Sequence, residues 1–472
     1  MYWILRQQQP ITIGGAADLK RGDTRGAIIE FTRAIKDYPH FALAYSGRGA
    51  AKEQNGDVEG AIADLDNAIE IDPRCAPAYT NRGHAKTDKG DYDGAIADHS
   101  RAIEIDSRLP LAFYDRGIVK QKQRDLDGAF ADFNRAIELD QHYAPSYSSR
   151  AEIKMAKADY DGSFADLNRA IELDPRYEPA YVNRGHIKEE NQDYDGALAD
   201  FNKAIEINPR DAFAYSGRGR IKSKEGNDDG AITDYTRAIE RDPRNAPAYD
   251  NRGLSKLFSG DYDGAINDLN MAIEIDPRCW SAYLNRGSVK LKKRDDDGAI
   301  ADFNKVIEIN PRLAVAYVNR GMAKIGNDNN GAIADFNKAI EINPDIATAY
   351  ADRALVEYGR SDFDGAIKDC DKAIRLDPKI KIGFTARAWA RYRKGDRAGA
   401  IEDAKKGAEL SDLFRDPVTA LRNRGLLSFL NGDFEEATEL WEQAVQKDPA
   451  AEKELRTWIN EAKANQEKSG RR

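Results

Sequence analysis

Arginine recurs at Arg48, Arg82, Arg116, Arg150, Arg184, Arg218, Arg252, Arg286 and Arg320, and aspartate at Asp64, Asp98, Asp132, Asp166, Asp200, Asp234, Asp268, Asp302 and Asp335. A planar guanidinium can grip a carboxylate through two parallel hydrogen bonds, or it can hold an anionic ligand. Because the acid recurs with the base, the spacing predicts internal pairs such as Arg82–Asp98 and Arg252–Asp268. Pairing to the preceding repeat is the other structural possibility, and an anion-binding stripe is the functional one. Such pairs add little net stability but are costly to break singly. Lys52, Lys86, Lys120 and their equivalents through Lys324 follow each arginine by one helical turn. They read as packing and solubility residues, with stems that cover apolar surface.

Other reactive side chains are sparse. Cys75, Cys279 and Cys370 form no metal or disulfide pattern, and Cys370 reads as a core residue. His40, His84, His99, His142 and His186 are scattered, and the equivalent His84 and His186 stand three repeats apart. No metal site or cofactor is expected. The Gly-Asp-Tyr-Asp-Gly runs could hold calcium, but their recurrence at each turn favours helix capping. No catalytic triad, phosphate loop or paired carboxylates stand out, so an enzyme ranks behind other readings.

The elements that carry these residues repeat every 34 positions. Pro39, Pro73, Pro175, Pro209, Pro243, Pro277 and Pro311 share one grid, Ser107 and Gln141 fill its proline-free points, and Pro344 and Pro378 continue it after a one-residue deletion. In the segment Ala76–Ser107, small or apolar residues fall at helical spacing as Tyr79 and Gly83, then as Ala95, Ile96, Ala102 and Ile103. Gly90 can end the first helix in the left-handed conformation, Asp91 or Asp93 can cap the second, and the grid proline stops it. Each unit therefore reads as helix–turn–helix–turn.

These residues resemble the tetratricopeptide repeat (TPR). The pattern is a large aromatic and a Gly in the first helix, Ala–x3–aromatic and Ala in the second, then Pro. It is carried by Tyr181, Gly185, Ala197, Phe201, Ala204 and Pro209, and again by Tyr283, Gly287, Ala299, Phe303, Val306 and Pro311. The resemblance implies an all-α solenoid of about thirteen repeats wound as a right-handed superhelix. It spans residues 8–449, with residues 1–7 as an apolar arm and residues 450–472 as a capping helix and disordered tail. The first repeat is degenerate at Ile11–Gly15, and the repeat from Ala314 to Ile346 is short at Ile325-Gly326-Asn327. Extra residues around Leu413–Pro417 precede the last repeat.

With a net charge of −9 and no long basic tract, the chain is a poor match for nucleic acid. No apolar run reaches the roughly 18 residues of a membrane span, and Met1–Leu5 is shorter than a signal-peptide core of about 7–15 residues. The expected location is the cytoplasm.

The resemblance implies that first helices line a concave groove where a partner lies. The residues not committed to packing turn apolar in the later repeats: Leu254, Leu257 and Phe258; Leu284 and Leu291; Val318, Met322 and Ile325; Leu355 and Tyr358; Trp389 and Tyr392; Leu426 and Phe429. In the repeat from Ala246, Pro247 and Asp250 belong to the same stripe. Either a partner covers these residues, or the later repeats bury them against each other. The lysine–asparagine clamp that some TPR proteins use for chaperone tails is absent. The leading reading is a non-enzymatic scaffold for an apolar-anchored protein segment or helix. The alternative is head-to-tail self-assembly, with the residue 1–7 arm as a candidate contact.

Overall fold

The computed structural model describes residues 15–469, apart from residue 20, residues 414–416 and residues 449–450. Regular structure among the described residues is all helical, as expected. The arm at residues 1–7, the segment Ile11–Ile13 and most of the extra residues before the last repeat lie outside the described residues. The chain divides into two compact parts, one ending at Asn227 and the other starting at Asp228. The first contains helix pairs such as Ala76–Lys89 with Tyr92–Ile105 and Glu178–Glu190 with Tyr194–Ile207. The second contains Ala246–Ser259 with Tyr262–Ile275, Ala347–Gly359 with Phe363–Leu376, Lys381–Arg393 with Arg397–Leu413, and Pro417–Asn431 with Phe434–Lys447, then the single helix Glu452–Ser469.

Local sequence sets the helix ends. Asp91 caps Tyr92–Ile105 by accepting the Gly94 N–H at 3.0 Å, and Gly90 closes the preceding helix at φ 83°. The expected glycine is missing from five such turns, where Arg124, Ala158, Gln192, Arg294 and Ser361 take φ 61–65° instead. There the backbone bonds and the following aspartate cap suffice: the Asp125 N–H reaches Lys120 O at 2.9 Å, and Asp125 caps Gly128. The turn at the grid position is likewise secured by a side chain. Asp106 and Asp140 each accept the N–H two residues on, at 3.0 and 2.9 Å, which explains why Ser107 and Gln141 can replace proline.

Packing within a repeat depends on small residues facing one large one. Ala95, Ala129, Ala197 and Ala299 are fully buried, as are Phe133, Phe201, Phe303 and Phe336. Glycine is required opposite the large residue: a Cβ on Gly253 would stand 2.8 Å from Leu269 Cγ and 3.3 Å from Ala265 O. Cys370 occupies the large-residue place and is buried, as expected. His99 takes the same place, and neither ring nitrogen has a hydrogen-bond partner. Its burial pushes the imidazole down to about 4, so it is neutral near pH 7.

The Arg–Asp pairs form inside the repeats. Arg82 donates from Nε to Asp98 Oδ2 at 2.8 Å and from Nη2 to Oδ1 at 2.6 Å, and Arg252 grips Asp268 at the same distances. The same guanidinium also reaches the preceding second helix, as Arg82 does to Asp66 at 2.7 Å and Arg252 to Thr236 at 3.0 Å. The recurring aspartates thus pair inside their own repeats, and the contact to the preceding repeat falls on a different residue, two positions after that repeat's aspartate. Arg252 further lies over the Tyr249 ring, 5.5 Å from its centroid. The deletion does not break the series, since Arg320 still grips Asp335 at 15 residues' separation instead of 16. Arg353–Asp369 and Arg387–Asp403 extend it.

The lysines need correction. Lys52, Lys86, Lys120, Lys256, Lys290 and Lys324 each pair with the aspartate that the arginine grips, at 2.7–2.9 Å. Two cations thus compensate one buried carboxylate. Glu357 holds the lysine's place beside Asp369. Burial and then the Asp369 charge push it up to about 7, and its Oε2 is buried without a partner.

Glu357→Lys is therefore expected to stabilise this repeat by about 1–3 kcal/mol near neutral pH, by removing an orphaned acceptor and supplying the missing cation. A carboxyl raised from 4.5 to about 7 contributes fully below 4.5 and loses that contribution as pH rises to 7. The gain from lysine should thus grow across that window, as read by denaturant unfolding of both chains at each pH.

Candidate functional site

The exposed face of the first helices is the candidate surface. In the first part of the chain it is organised by polar contacts between successive first helices. His84 Nε2 meets Asp115 Oδ2 at 2.8 Å, and Gln121 donates to Glu152 Oε2 at 2.9 Å. Glu152 Oε1 accepts from Asn183 at 3.0 Å, and Arg220 donates to Glu189 Oε2 at 2.7 Å. Although burial opposes it, contacts from His186, Arg220 and Lys224 hold Glu189 well below the usual carboxylate range. These pairs are 31 residues apart, one repeat less about one helical turn, which is the sequence signal that would reveal them.

A pocket of about 310 Å³ opens on this face between Glu152, Glu178, Val182, His186, Asp211 and Phe213. Asp211 is engaged in capping, accepting the Phe213 and Ala214 N–H groups at 3.0 Å. Burial and then the neighbouring Asp211 push Glu178 up to about 8. Sequence reasoning passed over this pocket because its carboxylates come from three different repeats.

The predicted groove residues in the second part fall into separate environments. Phe258, Met322 and Ile325 are exposed at 67%, 45% and 38%. Leu257 packs on the cluster around Leu269, and Leu284 and Leu291 pack on the cluster around Phe303. Leu254 is half-buried, and Leu355 and Tyr358 pack near Cys370. Val318 and Trp389 are buried at 3% and 5%. Asp250, placed in the same stripe, instead lies buried between first helices, accepting from Ser281 at 2.5 Å and Asn285 at 2.8 Å.

Trp389 and Tyr392 are covered by the chain itself. Trp458, on the helix Glu452–Ser469, brings its ring centroid within 3.8 Å of Trp389 and 5.7 Å of Tyr392. Phe429 and Trp441 complete the cluster at 5.8 and 6.4 Å from Trp458. The Arg393 guanidinium sits over the Trp458 ring at 4.3 Å and pairs with Glu461 at 3.2 Å, and the Tyr392 hydroxyl meets Glu461 at 3.4 Å. The sequence identified a terminal charged helix but not that its tryptophan enters the stripe.

Among the described residues no group of His, Cys, Asp and Glu could hold a metal ion, and no helix is long and apolar enough to cross a membrane. Models of the tetratricopeptide repeat match residues 15–79, 83–124, 179–211, 214–245, 251–314, 326–379 and 418–451. The chain belongs to the tetratricopeptide repeat family. No curated protein matches this TPR chain. A solved structure of the APC/C hetero-tetramer Cut9–Hcn1 is similar in fold, with a TM-score of 0.59 at 13% identity over 98% of each chain. Yeast Tom70 matches at 0.41 and 17% identity, covering 96% of this TPR chain and 99% of that one. YrrB, described as a TPR protein with an unusual peptide-binding site, matches at 0.33 and 24% identity, over 39% and 95%.

Proposed function

We propose that this TPR protein is a non-enzymatic scaffold that holds an apolar-anchored segment of another protein on the first-helix face of its later repeats. The observation that carries the reading is the exposure of Phe258, Met322 and Ile325 on the stripe where polar residues stand in earlier repeats. Large apolar side chains left in water on such a face favour a surface that is covered in the working complex. The Cut9 chain, similar in fold, is part of a hetero-tetramer with Hcn1. That supports a role in assembly without naming the partner.

The test is selection from a displayed peptide library on the full chain, followed by affinity measurement on Phe258→Glu/Met322→Glu. Selected peptides should share an apolar anchor and lose about ten-fold or more in affinity for the variant, the size expected when interface anchors are removed. Equal affinity for both chains would reject this groove.

A further inference from the structure

We infer that the aromatic surface of the last two repeats is a docking site for an amphipathic helix of a partner polypeptide, with the chain's own helix Glu452–Ser469 as its resident occupant. The inference deepens the scaffold reading and rests on it. The deciding observation is reach. Side-chain hydrogen bonds between the first helices of neighbouring repeats, such as Gln121–Glu152 or Thr385–Asn423, join residues 31 to 38 apart. Tyr392–Glu461 and Arg393–Glu461 join residues 69 and 68 apart. The helix itself lies on Phe434–Lys447, and Trp458 and Glu461 reach past it to the first helix of the repeat before, Lys381–Arg393, on the stripe where a ligand would lie.

The occupant also shows what the site recognises. Leu455, Trp458 and Ala462 are buried, while Arg456, Thr457 and Asn460 between them are exposed, so the contact is confined to one face of about three turns. Trp458 enters between Trp389 and Arg393, and Glu461 meets Arg393 and the Tyr392 hydroxyl one turn later. The partner pattern is therefore leucine, tryptophan three residues on, and an acid three residues after that. Tryptophan packed between aromatic and arginine side chains is the composition of an interface anchor. A helix of this length has little stability alone, and its hold benefits from a tether that supplies an effective concentration near the millimolar range. Weakening the resident helix should open the site.

The experiment uses the full chain and a fluorescein-labelled synthetic peptide of sequence 452–469. Wild type should bind it weakly, because the site is filled. Trp458→Ala should bind it about ten-fold more tightly or better, and adding Arg393→Glu should abolish the gain. Failure of the peptide to bind Trp458→Ala at unchanged helical content overturns the inference. Hydrogen exchange on the wild type keeps the test decisive if that variant unfolds its last repeats. Amides of 452–469 should exchange about 100-fold faster than those of Phe434–Lys447, and equal protection would mark the helix as a fixed part of the core. Phe258 and Met322 stand on earlier helices, so failure there rejects the groove in those repeats without deciding this site.

Discussion

Arg353→Ala should destabilise its repeat by about 5 kcal/mol, and Arg252→Ala by about 3 kcal/mol. The two arginines have the same geometry toward Asp369 and Asp268. They differ in what remains after removal. Asp268 keeps Lys256 at 2.9 Å. Asp369 faces Glu357 instead, so loss of Arg353 leaves a buried carboxylate beside a second acid. The cost of an uncompensated buried charge is what separates the two values. Hydrogen exchange on Ala347–Leu376 and Ala246–Ile275, or denaturant unfolding of each variant, reads the difference. Equal losses would mean that the lysine contributes nothing to the pair. Reversal of order would reject the account of a shared carboxylate.

Trp441→Ala should cost about 3–5 kcal/mol and release the last repeat while earlier repeats keep their exchange protection. Trp441 is fully buried, donates from Nε1 to Arg422 O at 3.1 Å, and lies 6.0 Å from Trp389 and 5.8 Å from Phe429 between ring centroids. A Cβ on Gly425 would come within 2.4 Å of its Nε1, so the helix Pro417–Asn431 is shaped around the indole. Alanine leaves a cavity that this rigid contact cannot close. Trp441→Phe should cost only about 1–2 kcal/mol, because phenylalanine fills the equivalent place at Phe303 and Phe336 and the loss is then one hydrogen bond and part of a ring. Similar losses for both substitutions would show that the hydrogen bond, not the packing, holds the repeat.

The helical hairpin was legible because each of its signals is local: a capping aspartate, a small residue opposite a large one, and a stop. The Arg–Asp pairs were legible because acid and base recur in the same register. The lysines were misjudged because a flexible stem at a helix surface serves solubility and ion pairing from the same position, and only the distance to Asp64 or Asp98 separates the two. Asp250 misled for a related reason: a lone acid on an apolar stripe suggests solvent, whereas its partners Ser281 and Asn285 lie on the next first helix. The apolar stripe was visible in Trp389 and Tyr392, but its cover was not. Trp458 comes from outside the repeating grid, so periodicity carries no information about where it lands.

Each guanidinium that grips its own aspartate also reaches one residue of the previous repeat, and that residue varies freely: Thr32, Asp66, Ser100, Asn134, Asn168, Thr236, Asn270 and Asn304 all serve. The joint between repeats is therefore generic, and any oxygen-bearing side chain of modest size completes it. A gene encoding such a chain can gain or lose whole repeats by unequal crossing-over without having to invent a matching surface at the new junction. The match of Lys120–Asp125 with Lys290–Asp295, five repeats apart, bears the mark of such an event. Length in this protein is thus a property that heredity can adjust in steps.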